Sequence, residues 1–382
     1  MSDAPGLLNL AQTRNVIVCV GSGGVGKTTI SAAIAMRAAQ LGRTACVLTI
    51  DPARRLADAM GVGELGNTPT RVDNSRFEAS GLPPPSGRLF AMMLDTKRTW
   101  DDLVRRFAPS AEQASRILSN RYYQNVSTAI VGSQEFMAME KLYELYESSA
   151  YELLVLDTPP TRHALDFLEA PRRMMEFMDD RLLGFLTMPT RMGKFGLGML
   201  TNSTAMMFAV LQRITGFNVL NDISDYVSSF AGMYGGFKER ARRVEEHLRS
   251  TRSSFALVTT PHAEAVDDAG FFFRKLQTSA MPLGGFVVNR VQESAITTPE
   301  RASQWQELRA QPTTLLADRA LADRLVENFA QREAMAAAHA AHIADLAARC
   351  PGPYFRRIVP AFDEDVRDLR GLARVNARLF EG

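Results

Sequence analysis

Cysteine is scarce: the 382-residue sequence holds three, Cys19, Cys46 and Cys350, far apart along the chain. That spacing excludes a disulfide framework and a C-x-x-C metal clip, and it suits a reducing cytoplasm. Cys19 and Cys46 fall inside apolar runs and read as small core residues. Uninterrupted apolar stretches of the roughly 18 residues a membrane-spanning helix needs are missing. The first residues lack a basic start followed by a long apolar run, so no signal peptide is expected. An excess of one charge is missing too: 44 Lys and Arg against 42 Asp and Glu leave +2. Net charge therefore offers no case for a nucleic-acid partner. No internal repeat is found. With 46% hydrophobic and 23% charged residues the composition is globular, which excludes a collagenous or wholly disordered chain. The length suits one large domain with an insertion, or two domains.

Seven apolar runs rich in β-branched residues read as strands: 16–20, 45–50, 89–94, 153–157, 255–259, 285–289 and 357–359. Most are apolar throughout, as in parallel strands buried on both faces. Helical stretches such as 28–41 alternate with them. The expected fold is therefore α/β: a doubly wound, mostly parallel-sheet core with an inserted α-helical subdomain. The core is assigned to 14–95, 151–165, 251–299 and 351–382, the helical subdomain to 96–150 and 166–250, and a helical hairpin to 300–350. In the subdomain, Ile223, Tyr226, Val227, Phe230 and Tyr234 mark one apolar helix face.

The strongest signal is Gly21-Ser22-Gly23-Gly24-Val25-Gly26-Lys27-Thr28-Thr29, which satisfies G-x-x-x-x-G-K-[ST] between a strand and a helix. Glycines let the backbone curl so that N–H groups point at phosphate oxygens. The helix N-terminus adds its positive end, Lys27 can reach the β- and γ-phosphates, and the Thr28 hydroxyl can ligate Mg²⁺. A merely Gly-rich turn would need neither the lysine nor the threonine. Two strands then end in carboxylates, Asp51 and Asp157. In a parallel sheet both emerge at the carboxyl edge beside the loop, where one can hold Mg²⁺ through water and the other can position an attacking water. Alone, each is equally a turn or cap residue.

Loop 21–29, Asp51-Pro52-Ala53 with Leu56 and Asp58, and Asp157-Thr158-Pro159-Pro160-Thr161 with His163 together resemble the ArsA-type ATPases. That family includes the arsenical-pump-driving ATPase and the targeting factor for tail-anchored membrane proteins. The likeness extends to Val288-Asn289 and to 360–365, and so covers most of the chain except 300–350. It implies that Asp51 activates the water attacking the γ-phosphate and that Asp157 holds Mg²⁺ through water. It further implies that Asn289 recognises adenine and that the loop with Pro360 and Phe362 packs around the base. The implied nucleotide is ATP; the phosphate loop alone argues only for a nucleoside triphosphate.

Three departures from the family pattern stand out. Family loops usually carry lysine where this chain has Ser22, a lysine that reaches across a dimer to the partner's phosphates. Either turnover is slow, or another cation substitutes, or a lysine-bearing paralogue supplies it, so homodimer and heterodimer both stay open. Arg54 and Arg55 are the candidate substitutes, with solvated helix-start arginines as the plain alternative. The C-x-x-C of the eukaryotic targeting factors is absent, so no zinc is expected. Arsenite is soft and needs clustered thiols, which three scattered cysteines do not supply. One phosphate loop per chain further separates it from the two-halved pump ATPases.

Nine of the 18 methionines lie between Met174 and Met233. Methionine suits grooves that accept varied apolar ligands, although buried faces of an ordinary helical subdomain need it equally. By resemblance this segment is an apolar cargo groove. In the last helix, expected over 363–380, Arg367, Arg370, Arg374 and Arg378 line one side. That face is either solvated or laid on an anionic membrane. The expected function is thus a Mg²⁺-dependent cytoplasmic ATPase, with peripheral membrane association open. It switches a dimer that holds and releases a hydrophobic cargo. A partitioning or positioning ATPase on DNA or membrane surfaces is one alternative, and a phosphate-loop small-molecule kinase is another.

Overall fold

The computed structural model describes residues 6–51, 54–120, 123–124, 133–159, 234–312 and 318–381. The Met-rich stretch, the helix face around Tyr226, and Pro52, Ala53, Pro160, Thr161 and His163 lie outside the described residues. Eight strands form one sheet: β1 Val16–Val20, β2 Thr44–Thr49, β3 Thr70–Arg71, β4 Arg88–Met93, β5 Leu153–Asp157, β6 Ser253–Thr259, β7 Leu283–Val291 and β8 Phe355–Pro360. Their order is β3-β4-β2-β5-β1-β6-β7-β8. Every pairing is parallel except β3 with β4.

The central strands β1, β2, β5 and β6 are buried on both faces, which is why they read as nearly continuous apolar runs. Side chains alternate between two cores. Val16, Val18 and Val20 of β1 join Cys46 and Leu48 of β2 and Leu154 and Leu156 of β5 in one core; Ile17, Cys19, Ala45, Val47, Leu153 and Val155 join the other. The described helices are α1 Leu7–Thr13, α2 Lys27–Gln40, α3 Arg55–Ala59, α4 Asn74–Ala79, α5 Thr96–Phe107, α6 Ala111–Ser119, α7 Ser133–Glu147, α8 Tyr234–Arg249, α9 Ala263–Thr278, α10 Pro299–Ala310, α11 Arg319–Arg349 and α12 Leu369–Phe380.

Helix α2 is sandwiched in the second core, and its small residues Ala32, Ala33, Ala35 and Ala38 let neighbours approach closely. There α12 packs beside it, donating from Asn376 Nδ2 to the Ala33 carbonyl at 3.0 Å. The apolar side of α12 is buried, so its arginines face outward: Arg370 donates to the Ser80 carbonyl and Arg374 lies against the Phe362 ring. The helix starts at Leu369, later than the expected 363, because the Asp368 side chain caps it by accepting from the Gly371 N–H at 2.8 Å.

Helices α5 to α8 contribute Trp100, Leu103, Phe136, Met137, Leu142 and Leu248 to the same core as β1 and β2. In the 300–350 region α10 and α11 meet through Trp305 and Phe329, whose ring centroids are 4.5 Å apart. Among the described residues no helix is long and apolar enough to cross a membrane.

Candidate functional site

Strand register brings the chemistry together. Asp157 lies directly beside Cys19 on one side and beside Thr49 on the other. Alternation along each strand turns all three toward the α2 face. The phosphate loop leads from β1 into α2, so Thr28, in the first turn, arrives over that row. Its hydroxyl donates to Asp157 Oδ2 at 2.7 Å, and the Thr49 hydroxyl donates to the same oxygen at 2.8 Å.

The loop's glycines have separate jobs. A Cβ on Gly21 would lie 2.0 Å from the Val258 carbonyl oxygen, so the loop seats against β6 only with glycine there. Gly26 has φ +94°, in the left-handed region, and a Cβ there would lie 2.2 Å from Asn289 Nδ2. Lys27 is buried and donates from Nζ to the carbonyls of Gly21 and Ser22 at 3.0 and 2.8 Å. Burial lowers its pKa, while the carboxylates of Asp157 and Asp51 act to raise it.

An open cavity of about 990 Å³ spreads from this loop along the carboxyl edge. Gly24, Gly26, Lys27, Thr28 and Thr29 form its floor, and Asp51 and Thr158 stand beside them. Asn289, Arg290, Pro360 and Phe362 line it as well. Gly21, Ser22, Gly23 and Val25 complete the loop, with Val25 buried beneath it. Asn289 Nδ2 donates to the Val25 carbonyl at 2.9 Å and its Oδ1 accepts from the Arg290 N–H at 3.0 Å. The amide retains one N–H and one carbonyl lone pair beyond these bonds, enough to read a base edge.

The residues fit Mg²⁺. Asp157 is 1% exposed, and its Oδ1 is buried with no hydrogen-bond partner among the described residues, an acceptor lacking its donor or cation. Burial pushes the carboxyl up to about 6, against the lowering pull of the Thr28 and Thr49 hydroxyls and Lys27. A hydroxyl and a carboxylate are hard oxygen ligands suited to that ion. Among the described residues no cluster of three or more His, Cys, Asp or Glu could hold a metal; a phosphate-loop ion, coordinated largely by phosphates and water, requires none.

The two candidate cations part company. Arg54 donates to Glu64 Oε1 at 3.2 Å and lines a separate hollow with Gly63 and Leu65. Arg55 lines the main cavity, with NH1 4.0 Å from Asp51 Oδ2. The thiols are dispersed: Cys19 is buried on one face of the sheet, Cys46 and Cys350 on the other. Thr49 was missed among the candidate site residues. A lone hydroxyl two residues before Asp51 in an apolar run was its signal, legible only once β2 is paired with β5.

A family model described as anion-transporting ATPase, of the ArsA type, matches residues 14–318. Among curated proteins, the chain is 30% identical over 169 residues to the ATPase GET3 of Malassezia globosa, covering 44% of this chain and 46% of that one. It is 32% identical over 195 residues to a putative arsenical pump-driving ATPase of Halobacterium salinarum, covering 50% of this chain and 28% of that one. A putative arsenical pump-driving ATPase of Chlorobaculum tepidum is 28% identical over 158 residues, 41% of this chain and 35% of that one. Each match spans less than half the length of the relative.

Proposed function

The chain belongs to the ArsA-type family of anion-transporting ATPases, and from that premise we propose that it hydrolyses ATP at the phosphate loop to switch a dimer between states that hold and release an apolar cargo. The observation that carries the reading is that Lys27 and Thr28 line a cavity large enough for a nucleotide, with the Asp157 carboxylate buried behind them and bonded to the Thr28 hydroxyl. Loop N–H groups and the α2 N-terminus bind the phosphates, and Lys27 exchanges its carbonyl partners for phosphate oxygens. Thr28 would ligate Mg²⁺ and Asp157 would hold it through water, and the ion would supply positive charge against the β- and γ-phosphates. Asp51 accepts the proton of the attacking water as its oxygen bonds to the γ-phosphorus. The bond to the bridging oxygen breaks, and its electron pair leaves with ADP. Asn289, Pro360 and Phe362 surround the base.

Buried thiols on opposite sheet faces argue against arsenite as the ligand. The Met-rich stretch 174–233 supplies the cargo surface in this reading; a transmembrane segment, a lipid or a small hydrophobic ligand would each suit it. Native mass spectrometry of Asp51→Asn with ATP and Mg²⁺, purified from its own host, tests the switch. An ATP-dependent dimer, homomeric or with a lysine-bearing paralogue, is expected. A chain that stays monomeric with ATP and retains no apolar ligand sinks the carrier reading.

A further inference from the structure

Phosphoryl transfer spreads negative charge over the γ-phosphate oxygens, and a site that speeds it aims positive groups there. Lys27 is one such group. Ser22, beside it in the loop, is neutral, and its carbonyl is occupied with Lys27. Three arginines line the same cavity among the described residues: Arg55, Arg290 and Arg367. Arg367 is paired with Asp365 at 2.8 Å, and Arg290, which follows Asn289 in β7, bears on that same carboxylate. Arg55 instead opens α3, four residues after Asp51, and its charge bears on Lys27 itself.

We infer that Arg55 is a catalytic residue, resting on the Asp51 carboxylate until ATP arrives and then moving onto its terminal phosphate. This rests on the ATPase reading above. The geometry makes the exchange easy. The side chain is 69% exposed, and at 4.0 Å its pairing with Asp51 is at the outer limit of an ion pair, the solvated kind that is easily given up. A guanidinium presents a planar fork that binds two phosphate oxygens at once, and it keeps its charge at any working pH. Moving it also takes a neighbouring cation away from the Asp51 carboxylate as the γ-phosphate comes into place. Arg54, held by Glu64, faces elsewhere and serves as the internal control.

The test compares the full chain with Arg55→Ala, Arg55→Lys and Arg54→Ala, measuring ATP and ADP affinity separately and phosphate release at saturating ATP and Mg²⁺. Arg55→Ala is expected to lower turnover by about 100-fold or more and to weaken ATP several-fold. ADP affinity should not change, because ADP lacks the group Arg55 meets. Arg55→Lys should recover part of the turnover, and Arg54→Ala should match the parent chain. Undiminished turnover in Arg55→Ala overturns the inference. So does an equal loss of ATP and ADP affinity, which would mean that Arg55 merely shapes the cavity. A parent chain that binds neither nucleotide overturns the ATPase reading itself and Arg55 with it. If it binds both without turnover, the ratio of ATP to ADP affinity in Arg55→Ala still decides.

Discussion

At the residue scale, Asp157 holds the site's electrostatics. Its carboxyl titrates at about 6 against an ordinary 3.8 because burial penalises the charge. Between those two values the folded chain binds a proton that the unfolded chain has released. Stability therefore falls as pH rises through that window, by about 1.4 kcal/mol per unit, and the cost is complete above it. The stability of the parent chain minus that of Asp157→Asn should accordingly fall from about pH 4 to about pH 6 and then level. Urea denaturation across that range checks it, and a flat difference would contradict the burial of an ionising Asp157. The same titration should strengthen Mg²⁺-nucleotide binding as pH rises through it, since the ion needs the carboxylate. From sequence Asp157 was legible as a strand-end acid, but its two hydroxyl partners were not. Thr28 and Thr49 are 129 and 108 residues away from it and meet it only through the sheet. Arg54 and Arg55 were equally indistinguishable, because adjacent side chains at a helix start point different ways.

At the scale of elements, seven of the eight strands were legible, the central ones because burial on both faces leaves continuous apolar runs. The edge strand β8, with Arg356 and Ile358 exposed, was legible only over 357–359. The exception, β3, is a two-residue antiparallel edge, too short to leave a pattern. Helix α1 also left little trace, although Leu7, Leu10 and Ala11 are buried in the second core. One link between elements bears on the switch. Gln134, at the start of α7, donates from Nε2 to the Ile50 carbonyl at 3.0 Å, one residue before Asp51. Gln134→Ala should lose about 1 kcal/mol of stability. It should also lower ATP turnover while sparing ADP affinity, because the bond braces the Asp51 segment and not the phosphate loop. Chemical denaturation and phosphate release measured on one preparation check both halves, and unchanged turnover would show that α7 does not brace Asp51.

On the scale of the whole molecule, the order β5-β1-β6 places β1 at the point where chain connections run to opposite sides of the sheet. The crevice outside the strand ends opens there, and the phosphate loop sits in it. This placement follows from topology and was legible as soon as the loop motif followed the first strand. The rest of the cavity's lining was legible only through resemblance, which picked out Asn289 and the 360–365 loop, while Arg290 beside them was not singled out. If this crevice turns over ATP with Asp51 as its base, phosphate release by the full chain with ATP and Mg²⁺, measured beside ATP binding, will show it. Release should depend on Mg²⁺ and fall by about 100-fold or more in Asp51→Asn while ATP is still bound. Release undiminished in Asp51→Asn, or a parent chain that neither binds nor hydrolyses ATP, would contradict it.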